Sequence, residues 1–170
     1  MKITLNMLSD ARIEYSWNTI YIALLYDFIE TSEVKEYAIK EMSSDDYQYN
    51  ESINELAWGT TDKSLTIRLI LSGNLVKITD SVKEFELKKI RYVMLFALLN
   101  QYKNPYQTLL KQIERVYADF DYPDDLSSFV YYMSPTNSTS TKVTNIIEND
   151  EKDFVLKFSE FLKGQAQKIR

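Results

Sequence analysis

Between Val116 and Met133 the chain reads VYADFDYPDDLSSFVYYM, which sets Asp119, Asp121, Asp124 and Asp125 within seven positions. Clustered carboxylates can hold a divalent cation, act as an acid–base pair, meet a basic partner or charge the start of a helix. A calcium loop counted from Asp119 puts Pro123 at its fifth position, Asp124 at its sixth and Val130 at its twelfth. Such a loop needs a side-chain oxygen, a glycine and a bidentate glutamate at those places, so the pattern fails. Asp119 and Asp121 have the spacing of magnesium-binding D-x-D pairs, yet no glycine-rich phosphate loop accompanies them in the chain. Helix chemistry accounts for the aspartates more simply. Asp121 is placed to cap a helix that Pro123 begins, and Asp124 and Asp125 then fall in its first turn, where the dipole favours negative charge.

What the 170 residues lack is as informative as what they hold. There is no cysteine and no histidine. Thiolate nucleophiles, Ser-His and Cys-His pairs and imidazole or thiolate metal sites are therefore excluded. We expect no enzyme, no resident metal and no cofactor. Met1 to Arg12 has no apolar core of a signal peptide, and the uncharged run Tyr92 to Leu99 is far shorter than the ~20 residues that span a bilayer. A cytoplasmic protein without membrane or nucleic-acid partners is the expectation.

Charge is unevenly spread. Residues 1–60 hold eleven acids against four bases, residues 61–115 ten bases against five acids, and residues 116–170 nine acids against six bases. The two ends thus present negative surface around a more basic middle, although solvated helix faces would produce the same pattern.

The elements that position these residues read as helices throughout. Only three glycines and three prolines interrupt the chain. Trp17, Ile20, Tyr21, Leu24, Leu25, Phe28 and Ile29 follow helical spacing behind Ser16 as N-cap. A second helix, capped by Thr31, carries Val34, Tyr37, Ala38 and Met42. After the polar connection 43–50, Asn50 caps a short helix ending at Gly59, and Thr61 or Asp62 opens another that ends near Gly73. Asp80 caps the longest helix, residues 81–102, whose YVMLFALL half is apolar on every side and predicts a buried central helix. Asn104-Pro105 starts the helix through Leu109, Leu110, Ile113, Tyr117 and Phe120, and a final pair carries Leu126 to Met133 and Phe154 to Leu162. The prediction is an all-α fold: one compact domain over 1–170, of about seven or eight helices, with a polar loop at 134–145.

The stretches IERVYADFDYPDDLSSFVYYM, WNTIYIALLYDFIETSEVKEYAI and INELAW, with their order in the chain, resemble a bacterial family catalogued as domain of unknown function 2247. Two positions depart from that pattern: a tryptophan is missing near Lys89-Ile90, and Ser134 displaces the proline after YM to Pro135. Members of the family resemble immunity proteins of bacterial polymorphic toxin systems, including contact-dependent growth inhibition. The resemblance implies stoichiometric binding and neutralisation of a cognate toxin domain; we expect that domain to be basic, such as a nuclease, and favour a monomer, although the sequence does not fix the oligomeric state. It supplies no catalytic residues. The alternative is a helical adaptor or structural protein without a toxin partner. Candidate partner contacts are Asp45, Asp46, Tyr47, Tyr49, Glu51 and Glu55 in the first third, and Asp121, Asp124, Asp125, Tyr131 and Tyr132 in the last. The first group is favoured because Asp45, Asp46, Tyr47 and Tyr49 have no equally good structural task.

Overall fold

The computed structural model describes residues 1–101, 106–130 and 143–169. Among these the fold is all-α, in two compact units, Met1–Val93 and Met94–Arg170. The first unit holds α1 (Leu5–Asp10), α2 (Trp17–Leu25), α3 (Thr31–Met42), α4 (Glu51–Trp58), α5 (Lys63–Ser72) and the first part of α6 (Asp80–Asn100). The second holds the end of α6, α7 (Tyr106–Asp119), a 3-10 turn at Asp124–Leu126, the short α8 (Ser127–Val130) and α9 (Val143–Lys168).

In the first unit α3 packs on α4, α4 on α5, and α5 on α2. The helix α2 is enclosed more fully than its spacing predicts. Trp17, Thr19, Ile20, Ile22, Ala23 and Leu24 are buried, whereas Leu25 is exposed and Tyr21 half-buried. It also ends earlier, because Asp27 turns left-handed at φ 61°. Asp27 N–H then donates to Leu24 O, and Phe28 N–H to Ala23 O, the two bonds of a Schellman C-cap. Phe28 and Ile29 are buried beyond the helix rather than on it.

The same C-cap recurs at Arg12, Asn74 and Asp121, all with φ between 52° and 57°. Their paired bonds are Arg12 to Ser9 with Ile13 to Leu8, Asn74 to Leu71 with Leu75 to Ile70, and Asp121 to Ala118 with Tyr122 to Tyr117. In each, the longer bond runs from an apolar residue just past the helix to a residue in its last turn, the two positions between which a hydrophobic contact frequently accompanies this motif. None of these four C-cap positions is glycine, the usual occupant.

Start signals hold at several ends. Asn50 accepts from the N–H groups of Ser52 and Ile53, and Asp62 from Leu65 N–H. Ser16 N–H donates to Thr19 Oγ1. Elsewhere the capping residue differs by one. Glu30 precedes α3, with Thr31 as its first residue, and Thr79 Oγ1 rather than Asp80 accepts from Val82 N–H at the start of α6. Tyr92, Val93, Met94 and Leu95 are all buried, four successive positions that cover the circumference of α6 as predicted. The longest helix is α9, not α6. Its apolar stripe buries Phe154, Phe158, Leu162 and Ala166, and Phe129 from α8 meets Phe154 and Phe158 edge-on at 5.7 and 5.3 Å. Of the polar loop expected at 134–145, positions 143–145 are helical and the rest lies outside the described residues.

Candidate functional site

The aspartate segment resolves into helix punctuation. Asp121 is the left-handed residue that ends α7, so it does not cap the helix that follows. The correction has a clear physical cause: the Schellman bonds of α7 consume Asp121 and Tyr122, and the rings of Tyr117 and Tyr122 lock the corner edge-to-face at 5.2 Å. Pro123 then stands as N-cap to the 3-10 turn, with Asp124 and Asp125 in that turn. Asp125 Oδ2 accepts from Gln165 Nε2 at 3.0 Å, and Ser127 Oγ donates to Asp124 O at 2.7 Å. Asp119, Asp121, Asp124 and Asp125 are exposed. Among the described residues no group of three or more carboxylates converges as a cation site would require.

The other acidic group lies on the connection from α3 to α4 and on α4 itself. Asp45, Asp46, Glu51 and Glu55 are all exposed, and none of their carboxylates accepts a hydrogen bond or ion pair among the described residues. Tyr49 beside them is 80 % exposed. Tyr47 has a structural task after all. Its hydroxyl accepts from Asn50 N–H and Asn54 Nδ2, both at 3.2 Å, and so ties the connection to the first turn of α4. The structure therefore gathers Asp45, Asp46, Tyr49, Glu51 and Glu55 in one short stretch of the first unit. Asp121, Asp124 and Asp125 belong to the second unit, and Tyr131 and Tyr132 lie outside the described residues.

The α4 helix buries Ile53 and Leu56 and turns Glu51, Glu55 and Trp58 outward at i, i+4 and i+7. Trp58 is 86 % exposed, the most exposed of the large apolar side chains described. Sequence reasoning did not single it out. Its only signal was that Ile53 and Leu56 leave position 58 on the opposite face.

Next to this stretch opens a cleft of about 460 Å³ between the segment before α2 and the end of α3, lined by Glu14, Tyr15, Tyr37, Lys40, Glu41 and Ser44 among others. Lys40 Nζ donates to Tyr15 OH at 2.8 Å and lies 4.7 Å from the centroid of that ring. Tyr15 and Trp17 close on Tyr37 with centroids at 5.6 and 4.7 Å. Burial, and then the Glu41 carboxylate beside it, hold the Tyr37 phenol above its usual 10.0, so it stays protonated as a donor.

One buried polar cluster also went unread in the sequence. Thr19 Oγ1 donates to Glu86 Oε2 at 2.7 Å, and Lys89 Nζ reaches Glu86 Oε1 at 3.3 Å, with both charged residues under a tenth exposed. It joins α2 to α6 inside the first unit.

No helix among the described residues is long and apolar enough to cross a membrane. No curated protein sequence and no solved structure matches the chain. A family profile does match it, over residues 5–166, and its members are described as an uncharacterized protein conserved in bacteria. By that match, which covers α1 to all but the end of α9, the chain belongs to the bacterial family DUF2247.

Proposed function

We propose that the protein is an immunity-type binding protein that neutralises a cognate bacterial toxin domain by stoichiometric contact, without catalysis, in the cytoplasm. The observation that carries this reading is the set of four exposed carboxylates, Asp45, Asp46, Glu51 and Glu55, beside the exposed ring of Tyr49. Unpaired surface charge of one sign steers association with a partner of the other sign, and tyrosine supplies contact area with little rotamer freedom to lose. The eleven acids against four bases in residues 1–60 extend that field over the first unit. A basic toxin domain, such as a nuclease, is the partner this surface suits.

Co-expression in a sensitive bacterium with the toxin-like domain encoded beside the gene tests the reading. Protection of growth, with a one-to-one complex on gel filtration, supports it. Loss of protection in the Asp45→Asn/Asp46→Asn/Glu51→Gln/Glu55→Gln variant assigns the surface. A neighbouring toxin domain that kills equally with and without the protein rejects the proposal.

A further inference from the structure

We propose that the outward face of α4, formed by Glu51, Glu55 and Trp58, reads an arginine side chain of a protein partner. This deepens the binding reading above and rests on it.

A tryptophan is ordinarily among the most buried residues on average, because its indole brings a large apolar area out of water. Trp58 gains almost none of that, at 86 % exposure, so the fold itself does not account for it. Its position is nevertheless well defined. The helix stops at once behind it, since Gly59 has φ 87° and ψ 142°. A Cβ at position 59 would come within 2.8 Å of the Lys35 stem, so the chain here passes close against α3. Tryptophan is also the residue type most enriched among interface anchors.

Charge complementarity decides the occupant. Glu55 and Glu51 lie one and two turns before Trp58 on the same face. An apolar partner segment would have to strip water from both carboxylates without pairing them. A second copy of this chain, meeting the face with its own like charges in a two-fold pairing, would set glutamates against glutamates. A cation satisfies indole and carboxylates together. Arginine suits them better than lysine, because its planar guanidinium stacks on the indole while its N–H fork engages a carboxylate.

The test uses the intact protein and two peptides of equal charge, acetyl-Gly-Arg-Gly-Arg-Gly-amide and its lysine counterpart. The chain has two tryptophans, so its two-dimensional nitrogen–proton spectrum has two indole signals, with Trp58 identified by its loss in Trp58→Phe. The arginine peptide should shift the Trp58 signal saturably and leave that of the buried Trp17 in place. Binding should be about threefold weaker for the lysine peptide, and weaker by a similar factor of about three in Glu51→Gln/Glu55→Gln. No shift, equal response to both peptides, or full response in the glutamine variant overturns the proposal. Sedimentation that shows self-association lost in Trp58→Ala gives the face to a second copy and overturns it too. Growth protection does not enter this measurement, so its failure leaves toxin neutralisation to stand or fall by itself.

Discussion

Two buried groups in the first unit turn single side chains into measurable behaviour. Glu86 is held by Thr19 on one oxygen and by Lys89 on the other. Removing one member of a buried pair strands the other charge, at a cost of about 3–5 kcal/mol in general. Lys89→Met should therefore destabilise by about 3 kcal/mol, toward the lower end because Lys89 keeps a partial path to solvent. Adding Glu86→Gln to that variant should recover most of the loss, since a neutral amide oxygen still accepts from Thr19. Urea midpoints with an unchanged slope check both. Tyr37 gives a second outcome, in pH. Its phenol ionises at higher pH in the folded protein than its usual 10.0, so the unfolded chain loses that proton first. The stability it contributes is complete below pH 10.0 and is lost as pH rises above that value toward the folded titration. Tyr37→Phe should flatten the alkaline arm of a stability-against-pH curve, with the wild-type arm falling more steeply.

Helix ends show what a sequence states openly and what it conceals. Asn50 was legible as a cap, and Asp62 as one of two candidates beside Thr61, because their side chains act on amides two and three residues away, in the same stretch of chain. The seam of α6 was legible because apolar residues run on without a polar face. By contrast, Arg12, Asp27 and Asp121 give no sign that the backbone turns left-handed there, since glycine is the usual marker and this chain has three. The ends are instead enforced by apolar residues that must reach the core, such as Ile13 and Phe28. The Thr19–Glu86–Lys89 cluster was hidden for a similar reason: Glu86 and Lys89 stand locally as an ordinary i, i+3 pair, and nothing in the sequence links them to Thr19, 67 residues before Glu86. These ends carry a cost that can be removed. A left-handed non-glycine residue costs about 1–2 kcal/mol, partly offset by the freedom glycine has when unfolded. Arg12→Gly should stabilise by about 0.5–1 kcal/mol, and Asp121→Gly by less, because aspartate tolerates that conformation better. Gly164 is the converse case. It lies within α9 with nothing within 4 Å of where a Cβ would stand, so Gly164→Ala should stabilise by about 1 kcal/mol. Thermal melts of the three variants give the signs directly.

At the scale of the molecule, two acidic sites compete for the role of contact, and kinetics separates them. Among the described residues the carboxylates of Asp45 and Asp46 accept no hydrogen bond or ion pair, while Asp125 is engaged by Gln165 and Asp124 stands in a turn secured by Ser127. Neutralising exposed charge with asparagine should leave stability within about 0.5 kcal/mol at the first site. At the second, loss of favourable charge in the turn should cost at most about 1 kcal/mol per aspartate. Association with a basic partner should respond differently. Rim charges act mainly on the rate of encounter, and their field is screened over ~8 Å at physiological salt. Asp45→Asn/Asp46→Asn should slow association by about threefold to tenfold at low salt and reduce its salt dependence, with dissociation nearly unchanged. Asp124→Asn/Asp125→Asn should alter neither rate. Stopped-flow or surface-based kinetics with the toxin domain proposed as partner, at 20 and 300 mM salt (roughly 20 and 6 Å of screening length), makes the comparison. If the second variant slows association and the first does not, the contact surface moves to the corner after α7. If both leave the rates unchanged, electrostatic steering is not how this protein finds its partner.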